Sequence, residues 1–278
     1  MNPSISSIIW PPQLRFVGNS LSYVDAHLHL ADAAYAGTVE TVLENAAAND
    51  VKYLLSNGMD YDSSVKTLAL AERYKGKVLA AGGIHPWTAA GSNTQLDLEI
   101  FEKLVGQNRD QVTAIGEIGL DGQYSKDEEK RLKQREVFLF FLRLAERCKL
   151  PAIVHSRLAV DEVLSILPSY AIPKVVLHRY SGSAEHLQSL RDRGYLITVG
   201  PSILYSKRTH EIARRADPSM LLTETDGPVT YFGPFKGKTT YPAFVIDVVK
   251  KLAELKKENI DHVRSAVWNN FQSFITKH

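Results

Sequence analysis

The sequence predicts a single-domain (β/α)8 TIM barrel, an α/β fold in which eight parallel strands alternate with helices. Eight short apolar segments alternate with helix-sized segments along the whole chain. The strand segments are nearly continuous runs of Val, Ile, Leu and Ala, as expected for strands covered on both faces. A length of 278 residues suits one such barrel. An open, doubly wound sheet is the alternative fold.

Each predicted element rests on a local pattern. The predicted strands are residues 21–25, 52–56, 77–84, 112–115, 151–155, 174–178, 195–199 and 220–223. Helices are predicted at 38–48, 63–75, 96–106, 126–149, 159–167, 183–193, 207–216, 242–255 and 260–276. Glycine and proline at 82–87 mark a change from strand to loop. Apolar residues at helical spacing predict the longest helix, 126–149, and Asn259 is a candidate N-cap for the last one.

Composition places few limits on function. The net charge of +2 is nearly neutral, so a polyanionic partner would need a local basic patch. The single cysteine, Cys148, excludes an intrachain disulfide, and no apolar run approaches the roughly 20 residues of a membrane span. We therefore expect a cytoplasmic protein with an irregular leader at 1–20 and a hydrolase domain at 21–278. The segment Gly233–Thr239 is one residue short of a Walker phosphate loop and does not join a strand to a helix, which excludes an ATP site.

Metal-capable side chains stand at the predicted ends of five strands. They are His27 and His29 after the first strand, Glu117 after the fourth, His155 and His178 at the fifth and sixth, and Asp226 after the eighth. In a barrel these ends share one face, where active sites form. Each histidine alone is equally compatible with a hydrogen bond to the backbone. Together they predict a metal site.

The number of ligands favours two ions over one. Six ligands exceed what a tetrahedral ion with an open position takes, but they suit two ions that share a carboxylate. Two-metal sites of this kind clamp the attacking and leaving oxygens of a displacement, and each ion lowers the pKa of a bound water towards about 7.

Six segments, in order along the chain, resemble the TatD family of metal-dependent deoxyribonucleases within the amidohydrolase-like barrels. They are Asp25-Ala-His-Leu-His29, Gly83-Ile-His-Pro86, Gly116-Glu-Ile-Gly-Leu-Asp121, Pro151-Ala-Ile-Val-His-Ser-Arg157, His178-Arg-Tyr-Ser-Gly182 and Glu224-Thr-Asp-Gly-Pro228. The set spans most of the chain. It implies a nuclease fold and activity for this sequence.

The resemblance also implies residue roles. It assigns His27, His29 and Asp226 to one ion and His155 and His178 to the other, with Glu117 bridging. Asp226 and Glu117 are thus the predicted catalytic residues, Asp226 orienting or deprotonating the attacking water. The implied reaction is phosphodiester hydrolysis from the 3′ end of single-stranded DNA. Mg²⁺ or Mn²⁺ is the expected ion, although the histidine count suits Zn²⁺ equally.

The predicted substrate-binding residues are His85, Arg157, Arg179 and Tyr180. Arg157 suits a phosphate contact or a salt bridge at the rim, and His85 suits a phosphate contact or a hydrogen bond within its turn. Trp87, Tyr124 and Tyr180 suit base stacking or loop packing. Arg179-Tyr180 stands where the family usually has Cys-Phe, and the segments after Asp121 and after the eighth strand also depart from the family pattern.

Three functions stay open at this level. A two-metal nuclease is the first, and a hydrolase of a small amide, ester or lactone is the second, because a similar metal-activated water serves both. A barrel kept for binding within a complex is the third, and the complete ligand set argues against it. The altered rim further suggests a specialised nuclease subunit, with protein partners in a defence or repair complex.

Overall fold

Eight strands pair in chain order, each parallel to the next. We describe them from a computed structural model covering residues 21–91, 98–124 and 127–276. They are β1 (Tyr23–Leu28), β2 (Val51–Asn57), β3 (Val78–Gly82), β4 (Val112–Gly119), β5 (Ala152–His155), β6 (Val175–Leu177), β7 (Leu196–Val199) and β8 (Leu221–Thr223). The predicted leader at 1–20 lies outside the described residues.

Hydrogen bonds between the first and last strands close the sheet into a barrel. Thr223 Oγ1 donates to the Val24 carbonyl at 2.9 Å, and Asp226 N donates to the His27 carbonyl at 2.8 Å. The buried Asp25 carboxylate accepts the backbone N–H of Thr225 at 2.9 Å and also its hydroxyl. Sequential strand order and this seam confirm the (β/α)8 barrel, and the open-sheet alternative is wrong.

Ten α-helices accompany the strands in the described part of the chain. They are α1 (Val39–Ala48), α2 (Tyr61–Arg73), α3 (Pro86–Gly91), α4 (Leu98–Gln107), α5 (Glu128–Cys148), α6 (Val160–Ile166), α7 (His186–Asp192), α8 (Lys207–Arg215), α9 (Phe244–Lys256) and α10 (Ile260–Ile275). The Asn259 side chain accepts the Asp261 N–H at 2.7 Å, which confirms the predicted N-cap of α10. None of these helices has the length and apolar character that crossing a bilayer requires.

Three local differences from the predicted elements affect the site. β1 and β4 run three and four residues further than expected, so that His27 and Glu117 lie within strands. Pairing of Leu28 with Ser56 and of Gly119 with His155 extends them, and such long-range pairing is not visible in a local pattern. The predicted loop after β3 contains α3, which Pro86 begins because proline needs no N–H partner in a first turn.

The core lies between the barrel and its helices. Phe138 and Phe141 of α5 and Phe271 and Phe274 of α10 are fully buried. Leu132, an apolar residue of α5, is by contrast 57% exposed. The strands are buried along almost their whole length, which is the environment their apolar sequences predict.

Candidate metal centre

The six predicted ligand side chains meet at the carboxyl end of the barrel. They are His27 within β1 and His29 just after it, Glu117 within β4, His155 at the end of β5, His178 just after β6 and Asp226 three residues beyond β8. All six are buried, and five of them line a cavity of about 520 Å3, beneath which His27 is completely enclosed. Parallel pairing explains this convergence, because the same ends of all eight strands face one side.

The Glu117 carboxylate lies between two pairs of imidazoles. Its Oε2 is 3.2 Å from His27 Nε2 and 3.3 Å from His29 Nε2, which we call the first imidazole pair. Its Oε1 is 2.7 Å from His155 Nδ1 and 2.8 Å from His178 Nε2, the second imidazole pair. Each oxygen of one carboxylate therefore faces a different pair, as a bridging ligand does.

The donor atoms around the first pair have the spacing of a metal's coordination shell. The two imidazole nitrogens are 3.3 Å apart, and Asp226 Oδ1 lies 3.6 Å from His27 Nε2 and 3.5 Å from His29 Nε2. With Glu117 Oε2 these atoms form a tetrahedron whose edges should measure about 3.4 Å for ligand bonds of about 2.1 Å. The residues present thus fit a divalent ion here.

The second pair offers a smaller donor set. His155 Nδ1 and His178 Nε2 are 3.1 Å apart, both beside Glu117 Oε1. Edges of this length approach the roughly 3.0 Å expected between neighbouring ligands of an octahedral ion with bonds of about 2.1 Å. These three atoms leave further coordination positions open towards the cavity.

The two carboxylates at the centre stay ionised. Burial alone raises the pKa of Glu117, but the neighbouring imidazoles, His178 first among them, hold it well below its ordinary value. The pKa of Asp226 is likewise lowered, because the hydrogen bond from His29 and the charge of Arg179 outweigh burial. Two buried anions this close together favour a cation between them.

Hydrogen bonds orient the rings of His29 and His155 from their far sides, and an ion-pair contact does so for His178. His29 Nδ1 lies 3.1 Å from the Asn57 carbonyl, which can only accept, so Nδ1 carries a proton and Nε2 faces the centre. His155 Nε2 donates to Asp121 Oδ2 at 2.8 Å, which leaves Nδ1 towards Glu117. His178 Nδ1 faces Glu224 Oε2 at 3.4 Å. Such outer partners fix ring orientation in metal sites.

Asp121 is a functional residue that sequence reasoning did not assign. Its buried Oδ2 accepts from three side chains: His155 Nε2 at 2.8 Å, Trp87 Nε1 at 2.7 Å and Arg157 Nε at 3.0 Å. Gln134 of α5 accepts its backbone N–H at 2.9 Å. Asp121 closes the Gly-Glu-Ile-Gly-Leu-Asp segment, and a carboxylate so near the end of β4 was the available signal.

The second glycine of that segment, Gly119, is required by the backbone. Its φ of +141° is one that side-chain-bearing residues rarely adopt, and an added Cβ would lie 2.1 Å from the His155 carbonyl oxygen. Glycine therefore lets β4 approach β5 closely enough to bring Glu117 against His155.

The predicted substrate-binding residues are not all brought to the cavity. His85 lies 3.3 Å from Glu117 Oε1, and its Nδ1 accepts the Trp87 N–H at 3.0 Å, the bond expected within its turn. Arg157 forms the rim salt bridge, with Asp121. Arg179 Nη1 donates to Asp226 Oδ2 at 2.6 Å. Tyr180 is buried in the core and donates to the Ser183 carbonyl, so it is placed away from the lining.

The fold and this donor set define the class of protein: a (β/α)8 barrel built as a metal-dependent hydrolase. The family model described as TatD related DNase matches residues 24–276. The chain therefore belongs to the TatD family of metal-dependent hydrolases.

Known relatives cover most of the chain. The uncharacterized metal-dependent hydrolase MJ1582 of Methanocaldococcus jannaschii is 30% identical over 260 residues, spanning 92% of this chain and 98% of that protein. Human deoxyribonuclease TATDN3 is 28% identical over 254 residues, spanning 89% and 92%. The crystal structure of the TatD homologue YjjV of Escherichia coli K12 superposes with a TM-score of 0.84 at 30% identity, covering 91% and 97%.

Proposed function

We propose that the protein is a nuclease that hydrolyses phosphodiester bonds of single-stranded DNA from the 3′ end. The single observation that carries the proposal is the Glu117 carboxylate, whose two oxygens face separate imidazole pairs. Such a bridge suits two divalent ions, and paired ions suit in-line displacement at phosphorus. Human TATDN3, a relative, is named a deoxyribonuclease.

The proposed ligands are those of the two pairs. His27, His29 and Asp226 would hold one ion, His155 and His178 the other, and Glu117 would contact both. Mg²⁺ or Mn²⁺ is the expected metal, and the imidazole-rich donor set accommodates Zn²⁺ as well. When bound, these ions would supply Lewis-acid polarisation of the phosphate and of the attacking water.

Asp226 is the proposed general base. Its Oδ1 faces the first pair, while its Oδ2 is held by Arg179, so the carboxylate is fixed at the cavity wall. Because its pKa is lowered, it is ionised at neutral pH and able to accept the proton that an attacking water loses. Glu117 contributes charge rather than proton transfer, since both of its oxygens face imidazoles.

Cationic and neutral donors at the cavity wall suit a phosphate. Arg157 and Arg179 are each about half exposed and line the cavity. The His85 Nδ1 atom accepts from the backbone, so its Nε2 carries the proton. This Nε2 lies 3.3 Å from Glu117 Oε1, and a phosphate oxygen bound there would compete for its proton. We propose these three as substrate contacts, and we do not extend the proposal to the buried Tyr180.

A second candidate is hydrolysis of a small amide, ester or lactone. The cavity of about 520 Å3 is within the range of about 300–1,000 Å3 typical of small-molecule sites. The ligand set does not separate the two reactions, because both use a metal-activated water.

The test is an assay of purified, metal-loaded protein on single strands labelled at the 3′ or the 5′ end, beside a panel of small acyl substrates. We expect label release from the 3′ end, its loss with chelator, and its loss in Asp226→Asn. Turnover of an acyl substrate with intact DNA would instead establish the second candidate. RNA strands and duplexes in the same assay define the polymer.

The cellular setting follows from the same proposal. A nuclease with a single cysteine, Cys148, suits the reducing cytoplasm. Protein partners in a defence or repair complex stay a prediction, tested by affinity purification of the tagged protein from its native cells.

A further inference from the structure

Two exposed aromatic rings stand together at one side of the metal cavity. Trp87 is 37% and Tyr124 is 47% exposed, and their ring centroids are 4.9 Å apart with a tilt of 42°. They belong to the segments that follow β3 and β4. Adjoining aromatic side chains that both keep a third or more of their surface exposed beside a site form a candidate ligand surface.

The position of the Trp87 ring is fixed by its neighbours. Its Nε1 donates to Asp121 Oδ2 at 2.7 Å. Its ring centroid lies 4.6 Å from that of His85, with the two ring planes at 76°. The Arg157 guanidinium lies 5.4 Å from the centroids of both Trp87 and Tyr124. A ring held in this way loses little conformational entropy when a ligand binds.

The rings are close to the chemistry. The Trp87 centroid is 6.4 Å from that of His155, a member of the second imidazole pair. Trp87 and Arg157 also line the cavity that the pair faces. A phosphate at the second pair would therefore have its attached nucleoside within reach of the aromatic rings.

Resting on the proposed nuclease function, we propose that Trp87 and Tyr124, with Arg157, form a nucleobase-stacking subsite next to the scissile phosphate. Every base offers a flat π-face, so stacking of this kind holds a strand without selecting its sequence. The neighbouring guanidinium supplies the positive charge that the adjoining phosphate needs. A duplex hides its base faces, so the subsite favours unpaired ends.

Fluorescence tests binding directly. The chain has three tryptophans, so Trp10→Phe with Trp268→Phe leaves Trp87 as the sole indole fluorophore. We expect dAMP to quench or shift this emission saturably, and deoxyribose 5-phosphate, which lacks a base, to leave it unchanged at the same concentrations. Equal responses to both compounds, or no response to dAMP, would overturn the subsite.

Kinetics tests its contribution to turnover. Trp87→Ala and Trp87→Phe both lose the hydrogen bond to Asp121, so the difference between them reports stacking alone. We expect KM for a single strand to be roughly 5- to 150-fold higher in Trp87→Ala than in Trp87→Phe, with a similar kcat in the two variants. On a strand that is abasic at its 3′ end, the two variants should act equally. Tyr124→Ala repeats the test should Trp87→Ala fold poorly.

Phe232→Ala is the matched control. Phe232 is 70% exposed and follows β8, which lies across the barrel from β4. Its KM should match the wild type, and an equal rise in this control would overturn the subsite. An unchanged KM in Trp87→Ala with DNA cleavage intact would reject the subsite and keep the nuclease. Absence of cleavage of any strand by the wild type would reject both.

Discussion

The two imidazole pairs differ in what holds them. In the first pair, the His29 ring contacts the Asn57 carbonyl, whereas His27 is held through its backbone carbonyl, which accepts the Asp226 N–H across the barrel seam. The second pair is anchored by side-chain carboxylates, Asp121 for His155 and Glu224 for His178. Main-chain anchors move only with the barrel, whereas carboxylate anchors respond to whatever else binds them.

That difference links the second pair to the substrate side of the cavity. The Asp121 oxygen that holds His155 also accepts from Trp87 and Arg157 at the rim. A ligand that shifts either rim residue is therefore felt at His155. The first pair reaches the rim by another route, because Arg179 donates to Asp226 Oδ2 and Asp226 Oδ1 lies 3.5 Å from His29 Nε2. The two pairs therefore differ in the carboxylate that connects them to the rim, Asp226 for the first pair and Asp121 for the second.

The largest expected effect comes from Glu117→Gln, which removes the charge that both pairs share. We expect the metal content to fall at both positions and activity to drop on the order of 10³-fold, because the centre loses electrostatic stabilisation. Metal analysis of dialysed protein together with the DNA assay measures this. Glu254→Gln, on the exposed face of α9, is the control. Full retention of two metals per chain would contradict the bridging role.

Asp121→Asn should affect the metal affinity of the second imidazole pair alone. Loss of the His155 anchor is expected to weaken one ion by roughly 10- to 100-fold and leave the other unchanged, as for outer-shell partners generally. Titration calorimetry with Mn²⁺ resolves the two affinities, and Asp261→Asn, at an exposed side chain of α10, is the matched control. Equal weakening of both ions would show that the two pairs are not independently anchored.

Metal binding should depend on pH at the first pair. Burial disfavours the charged form of His29, but hydrogen bonds to Asp226 and Glu117 outweigh burial and raise its pKa to about 10. The metal-free protein is thus protonated there at pH 7, and a metal must displace that proton. We expect at least one proton released per ion and affinity that rises about tenfold per pH unit below this pKa.

Calorimetry in buffers of different ionisation enthalpy counts those protons. A binding enthalpy that is the same in every buffer would mean that no proton leaves, and would contradict the assignment of His29 as a ligand.

The smallest effect is expected from Arg179→Ala. The guanidinium 2.6 Å from Asp226 Oδ2 lowers the pKa of that carboxyl, so its removal should raise the pKa. Asp226 acts in its ionised form, so the acid limb of the pH–rate profile should move to higher pH. We expect kcat/KM at pH 7 to be lower by roughly two- to tenfold. The pH–rate profile measures this shift, and Arg73→Ala, at an exposed arginine, is the control. An unmoved acid limb would exclude Asp226 as the titrating base.

Local sequence patterns were sufficient to predict the fold and the set of candidate ligands. Continuous apolar runs for buried strands and apolar residues at helical spacing are both local patterns. A parallel barrel is the arrangement that accommodates eight strands alternating with helices. Parallel pairing then obliges the strand-end residues to share one face. For this reason His27, Glu117 and Asp226 were predictable neighbours although up to 199 positions separate them along the chain.

The orientation of those side chains depends on long-range packing and could not be predicted in the same way. Strand register sets which Glu117 oxygen meets which pair, which ring nitrogen of His155 turns inwards, and that Tyr180 packs into the core. It also brings Trp87 to Asp121, a contact between residues 34 positions apart. Periodicity indicates which face a residue occupies. The distances between side chains, which matter to within a few tenths of an ångström, depend on packing that no local pattern contains.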